Sequence, residues 1–518
     1  MFQVRVERRH WRRLAIVAVS LVAAAGLAYA LLLVYWPFSQ RRVTQAIEGT
    51  FPVKITFERF GHTHFPHPGC VAEGLRVYRI GSAPNDPPLI TMRTFTVEAA
   101  YTDFLYRPGY IRRVILDGLR IEVPAMGTNA QNGAATWQAS APTKNVVGEV
   151  IADGALLEIA RNDGNAPLRF DIHSLSLKSV RDGAPFTYDT TFRNAEPLGE
   201  IRSSGSFGPW NADAGHTPVQ GTYTFDRADL AVFDGISGTL ASQGKFQGVL
   251  GKLDSQGDVD IPDFSVTRSS HTVHLTSRYH AIVNGTNGDV QLQRVEASFL
   301  RTAVFASGTV AAHPPTDGKT TSMDFSVTNG RIQDVLWMFV KGRRPALNGA
   351  VILRAHVTVL PEGRPFLQEL QLDGDFGIDD GQFTKEKTQN SIVELSERAS
   401  GKNPDKLAES EADPEGLVAD LSGHVALRNG VATLTNLSFQ VPSARARVHG
   451  TYNLLNQEVD LHGTLLTDAK LSQNTSGVKS VLLKPFNVFF KGRHHGAVIP
   501  VKLTGTYHDP KPAIDLLP

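Results

Sequence analysis

The residues best equipped for chemistry are His62, His64, His67 and Cys70, crowded into the stretch GHTHFPHPGC. Imidazole and thiolate are zinc ligands, so the cluster raises a metal site. Pro66 and Pro68 break the local geometry, and no second ligand pair follows at zinc-finger spacing. The stretch therefore reads as a polar loop between strands. Asp254, Asp258 and Asp260 suggest calcium, but the terminal glutamate of a calcium loop is absent. Asp379 and Asp380 precede a glycine and read as a turn, and His494-His495 as an exposed loop. Serine, histidine and aspartate are scattered with no G-x-S-x-G elbow, and no phosphate-loop or dinucleotide fingerprint occurs. The expectation is a protein that is not an enzyme, with no catalytic residue, metal or cofactor.

The frame that would position any site is β-rich. The chain has 518 residues, too many for one ordinary compact core. Its 52 basic and 51 acidic side chains nearly cancel, which argues against a nucleic-acid partner, since that would want a concentrated basic face. The single cysteine, Cys70, rules out an intramolecular disulfide. Short alternating runs of Val, Thr, Phe and Leu are separated by Gly, Asn and Asp, as expected of many short antiparallel strands. Val351, Leu353, Ala355, Val357 and Val359 alternate with Ile352, Arg354, His356 and Thr358, a period of two with one apolar face. Val425 and Leu427 lead into Asn429-Gly430, a hairpin signal, and Leu437, Phe439 and Val441 return. With Ala444, Ala446 and Val448, then Val459, Leu461 and Leu465, residues 418–466 read as a meander.

Gly-Thr followed by an aromatic or aliphatic residue recurs at Gly221, Gly238, Gly308, Gly450, Gly463 and Gly505. A recurring glycine inside strands suits a sheet that must curl. Helical patterns are few. Ile332, Val335, Leu336, Phe339 and Val340 fall at helical spacing, and Thr384 to Ser400 and Val478 to Lys491 are further candidates. Residues 401–415 are polar and charged and read as a solvated loop.

Leu14 to Trp36 form an uncharged apolar run, long enough to cross a bilayer. Tyr35 and Trp36 fall where an interfacial aromatic belt would sit, and Pro37 ends the helix. Arg5, Arg8, Arg9, Arg12 and Arg13 precede the run, which places the N-terminus in the cytoplasm and exports the rest. Ala28-Tyr29-Ala30 has the form of a cleavage site, but the apolar run continues beyond it, which favours an uncleaved signal anchor.

Several segments together resemble the AsmA family of bacterial envelope proteins: the N-terminal anchor, FPHPGCVAEGLRVYRI (Phe65 to Ile80), and the stretch from Pro87 to Pro124. The stretches Gly430 to Gln473 and Ser476 to Asp515 match best, and resemble the AsmA-like C-terminal region. The resemblance implies a long, curled, groove-like β-sheet, apolar inside, that carries phospholipid acyl chains and supports the outer membrane. The expected fold is mostly β: a transmembrane helix, then an elongated, curled antiparallel sheet with a few short helices. The expected divisions are 1–13 cytoplasmic tail, 14–36 anchor, 37–400 periplasmic groove body, 401–415 polar loop and 416–518 AsmA-like C-terminal region. About 25 strands would run on the order of 120 Å. Val351, Leu353, Val357, Val359, Leu437, Phe439, Val459 and Leu461 are the candidate groove lining. The expected partners are membrane lipids, the inner membrane and outer-membrane or envelope proteins. The rival reading is an assembly or scaffold factor that binds outer-membrane proteins by pairing at a sheet edge.

Overall fold

The computed structural model describes residues 20, 26, 36–50, 53–81, 86–123, 146–160, 166–211, 213–267, 269, 271–312, 318–361, 363–384, 417–441, 444–467, 497–506 and 510–514. The expected helix over 478–491, that over 384–400 except for Thr384, and nearly all of the expected anchor lie outside these residues. Among the described residues no helix is long and apolar enough to cross a membrane.

The chain opens with α1 (Gln40–Thr50), β1 (Val53–Thr56), β2 (Arg59–Thr63), β3 (Gly69–Arg79) and β4 (Ile90–Glu98). Then come α2 (Tyr101–Tyr106), β5 (Tyr110–Asp117), β6 (Arg120–Val123), β7 (Val146–Ile151) and β8 (Ala155–Ile159). The middle holds β9 (Leu168–Arg181), β10 (Phe186–Asn194), β11 (Gly199–Phe207), β12 (Pro218–Asp229), β13 (Ile236–Ser237) and β14 (Thr239–Val249). It continues through β15 (Lys252–Val266), β16 (Thr272–Val283), β17 (Val290–Phe299), β18 (Thr302–Ala312) and β19 (Lys319–Arg331). After α3 (Ile332–Phe339) come β20 (Leu347–Val359), α4 (Phe366–Glu369) and β21 (Leu370–Phe383). The last strands are β22 (Leu417–Arg428), β23 (Val431–Val441), β24 (Ala444–Asn453), β25 (Glu458–Thr467), β26 (Ala497–Thr506) and β27 (Pro510–Ile514).

All 27 strands belong to one sheet. Four pairs lie end to end (β1 with β2, β5 with β6, β7 with β8, β13 with β14), so the ladder has 23 ribs, roughly 100 Å along the stacking direction. From β9 onward each rib pairs antiparallel with the next. The meander expected over 418–466 is β22–β25, and Asn429-Gly430 makes its two-residue turn with φ of 50° and 76°, the left-handed pair such a turn needs. The pairing of β21 with β22 carries the sheet across residues 385–416.

Three expectations need correction. The sheet is mixed: β5 with β7 and β6 with β8 run parallel, a pairing that a tight two-residue turn cannot join. Many strands are long, with 15 residues in β15 and 14 in β21. Asp379 and Asp380 form no turn; they lie within β21, with Asp380 at φ 51° where the pairing skips residues.

The cores are local. At the N-terminal end Trp36, Phe38 and Val43 pack with Cys70, Val97, Ala99 and Val114. Trp36 is therefore a core residue and not part of an exposed interfacial belt: it is 5% exposed, and its indole N–H donates to the Gly69 carbonyl at 3.2 Å. The helix expected from Ile332 forms as α3, whose Ile332, Val335 and Leu336 pack on Val327, Leu347, Val351 and Ile378. Val335 and Trp337 also join Met338, Val273 and Phe299 in a neighbouring cluster.

Candidate apolar groove

Directly opposed residues of an antiparallel sheet share a face, so register alone maps the two faces. One row runs through Thr190, Ser203, Tyr223, Gly244, Gly257 and Tyr279. It continues through Val295, Ala306, Phe325, Ala355, Gly374 and Val425. It ends through Leu434, Gly450, Leu461 and Leu503. No residue of this row is charged. A neighbouring row, through Asp189, Ser204, Thr222, Lys245, Gln256, His280 and Arg294, lies on the opposite face. The alternation is visible in adjacent residues: Val351 is 4% exposed and Ile352 is 46% exposed.

All eight candidate lining residues share the uncharged face. Val351, Leu353, Val357 and Val359 alternate along β20 with Ala355 of the row. Leu437 and Phe439 oppose Val448 and Ala446 of β24, while Val459 and Leu461 oppose Tyr452 and Gly450. Val351 is buried, but the other seven are only half-buried. Every described strand belongs to this single sheet, so no second sheet closes over them.

The sheet bends toward this face along its glycines. A Cβ on Gly205 would fall 2.0 Å from the Gln220 carbonyl oxygen. On Gly308 or Gly450 it would fall 2.1 Å from the carbonyl of Ser322 or Asp460. A flat sheet leaves room for a Cβ, so the neighbouring strand has swung up over the position. Gly221, Gly244, Gly257, Gly374 and Gly463 show the same approach at 2.2–2.7 Å. Each is in register with the uncharged face, and together they make a crease along the sheet. The Gly-Thr repeat signalled part of it, at Gly221, Gly308, Gly450 and Gly463. Gly205, Gly244, Gly257 and Gly374 carried no such flag.

α3 covers one margin of the trough and is pinned there by polar contacts that sequence alone does not announce. The buried Asp334 carboxylate accepts from the Arg301 backbone N–H at 3.0 Å and the Thr302 hydroxyl at 2.9 Å. Thr302 in turn accepts from the Arg331 N–H at 3.0 Å. His271 stacks on Trp337 with ring centroids 3.8 Å apart and donates from Nδ1 to its carbonyl at 2.8 Å.

The other face is charged and laced with cross-strand pairs. Three of the four aspartates of β15 have a partner on β16: Asp254 with His280 at 3.2 Å, Asp258 with Arg278 at 3.5 Å, Asp260 with His274 at 2.6 Å. His356 pairs with Asp324 at 2.8 Å and His424 with Asp375 at 2.9 Å. Such exposed pairs add little stability each. A hollow of about 970 Å³ is lined chiefly from this polar face, by Arg202, Lys245, Asp258 and Arg278 among others. Two further hollows, of about 630 and 540 Å³, are also lined chiefly from the charged face. Among the described residues no three His, Cys, Asp or Glu side chains are grouped to hold a metal. Cys70 lies in the N-terminal core, where burial pushes its thiol up to about 12, the state of a packing residue and not of a thiolate ligand. No family model, no curated protein and no solved structure matches the chain.

Proposed function

We propose that the protein binds or conducts phospholipid acyl chains along the creased apolar face, as a non-enzymatic AsmA-like component of the bacterial envelope. The run Leu14 to Trp36 anchors it in the inner membrane, the bulk is periplasmic, and the activity supports the outer membrane. The observation that carries this reading is the half-exposure of Leu353, Val357, Leu437, Phe439, Val459 and Leu461 along one continuous uncharged face. A bare trough of that length is a large unpaired apolar surface in water. Acyl chains would cover it at roughly 0.8 kcal/mol per buried methylene. A lining without charges or fixed polar anchors along most of its length gives successive positions similar energies, which suits movement along it.

The rival reading, capture of partner strands at a sheet edge, finds little support at either end. Among the described residues β27 pairs only with β26, and Pro510 and Pro512 remove two of the three N–H donors from one side of that short strand. At the other end Glu48 of α1 accepts the β1 backbone N–H of Ile55 at 3.0 Å.

Native mass spectrometry of the full-length protein released from membranes tests the proposal. Bound phospholipid is expected, with loading reduced at least about tenfold in Phe439→Asp, where a charge replaces part of the trough wall. Absence of lipid from the wild-type protein, or full loading in Phe439→Asp, would refute it.

A further inference from the structure

One stretch of the uncharged face is not apolar. Across β10–β16 its central positions carry the hydroxyls of Tyr188, Ser203, Tyr223, Ser242, Ser255 and Tyr279, whereas from Val295 to Leu503 the central row has none. Tyr223 on β12 and Tyr279 on β16 are separated by Gly244 and Gly257, in register between them. A Cβ on Gly244 would fall 2.8 Å from a Tyr223 ring carbon, and one on Gly257 2.9 Å from a Tyr279 ring carbon. Both rings therefore lie over the glycine floor, and their hydroxyls hydrogen-bond to each other. The two tyrosines form a bar across the crease.

The direction of the protons in this network follows from its ends. Ser242 Oγ lies 3.0 Å from the Asp258 carbonyl, which only accepts, so Ser242 donates there. At 2.9 Å Tyr223 then donates to Ser242. Tyr279 in turn donates to Tyr223, and Ser255 donates to Tyr279 at 3.2 Å. A second branch has the same sense: Ser203 donates to the Thr222 carbonyl at 2.9 Å, so Tyr188 donates to Ser203 at 3.2 Å. A hydroxyl has one proton and two lone pairs. Every proton of the network is committed, while lone pairs remain on Tyr223, Tyr279 and Ser255. Burial pushes Tyr188 and Tyr223 up from the ordinary phenol range, so they stay neutral. The charged side chains of these strands, among them Asp189, Arg202, Lys245, Asp258 and Arg278, alternate onto the other face.

Among the described residues of this face, a phosphate or carboxylate at the bar meets neither a cation nor an uncommitted proton of the network. An ammonium meets no counter-charge. An uncharged alcohol meets open acceptors inside an otherwise apolar trough. We infer that the Tyr223–Tyr279 bar is a station in the groove that holds the free hydroxyl of an uncharged acyl lipid, of which diacylglycerol is the simplest case. The inference rests on the groove reading and adds the polar group that the groove selects.

The test offers the full-length protein equal amounts of dioleoylglycerol and its O-methyl ether in vesicles and counts bound lipid by native mass spectrometry. The ether keeps both acyl chains and lacks only the donor proton. The wild-type protein is expected to favour the alcohol about fivefold, the effect of one hydrogen bond. Tyr223→Phe with Tyr279→Phe is expected to bring that ratio to about one by weakening the alcohol's binding. Ser242→Ala, a milder change, frees the Tyr223 proton and is expected to shift the preference toward the ether. Equal binding of the two lipids by the wild type, or a preference that survives both variants, overturns the station and leaves the groove standing. A wild-type protein that loads neither lipid and carries no phospholipid from the vesicles overturns both.

Discussion

The stretch of inner face crossed by β10–β16 and the stretch crossed by β19–β25 share a backbone plan and differ in what they present. Both alternate apart from local bulges, both keep charge off the central row, and both bend at glycines whose Cβ would meet the next strand's carbonyl. The first lines its floor with hydroxyls that bond to one another; the second lines it with Leu, Val, Phe and Ala. The fold thus demands room at the crease and no charge on the inner face, but it does not demand uniform apolarity. A hydroxyl whose bond is made costs little to bury partly, whereas an unpaired charge costs several kcal/mol. The lining is therefore the adjustable part, and function can act on it without disturbing the sheet.

The shared plan is most directly broken at the crease. Gly205→Ala in β11 and Gly450→Ala in β24 each drive a Cβ into backbone that cannot swing aside, at 2.0 and 2.1 Å. Each is expected to cost about 3 kcal/mol in urea unfolding. Gly377→Ala, at an outer-face position with nothing within 4 Å, is expected to cost less than about 1 kcal/mol. Equal tolerance of all three, or damage confined to one stretch, would end the idea of a common plan.

The junction comes next. α3 packs on Val273 and Phe299 of the ribs leaving the first stretch and on Val327, Val351 and Ile378 in the second. Asp334→Ala removes the acceptor of the Arg301 N–H and the Thr302 hydroxyl, both beneath the helix. The expected loss is about 2 kcal/mol, with faster amide exchange on both sides of α3 and a smaller effect for Asp334→Asn, which keeps one acceptor oxygen. Unchanged exchange in the flanking ribs would show that the two stretches meet without help from the helix.

Sequence made some of this comparison legible and hid the rest for physical reasons. The alternation of Val351 to Val359, the meander around Asn429-Gly430 and the helix at Ile332 are local patterns, and the structure carries all three. The eight lining candidates fall on one face because strand period and bulges keep a common register through β20 to β25. The hydroxyl bar was invisible. Tyr223 and Tyr279 are 56 residues apart, and only four successive ribs in register bring them together across two glycines. The parallel pairings of β5–β8 were equally hidden, since a crossover depends on where the chain returns and not on its local pattern. Trp36 misled because it closes an apolar run, yet its indole N–H finds its acceptor in the Gly69 carbonyl of a folded core.

The smallest expected effect separates the stretches by pH. Burial raises the Tyr223 phenol above its ordinary value of 10.0. A group whose folded pKa is raised favours folding fully below its unfolded pKa, and that contribution fades as pH climbs through the folded value. Between about pH 8 and pH 11 the unfolded chain ionises this tyrosine while the native network holds its proton, so the protein is expected to lose stability across that window. Tyr223→Phe should flatten the slope by the share of one group, seen as a smaller shift in urea midpoint between the two pH values. Leu461→Ala, in the stretch whose central row has no hydroxyl, lowers the midpoint at both pH values and leaves the slope alone. If Tyr223→Phe changes the midpoint equally at both pH values, its phenol is not held neutral by the groove, and the contrast between the two stretches is one of shape without chemistry.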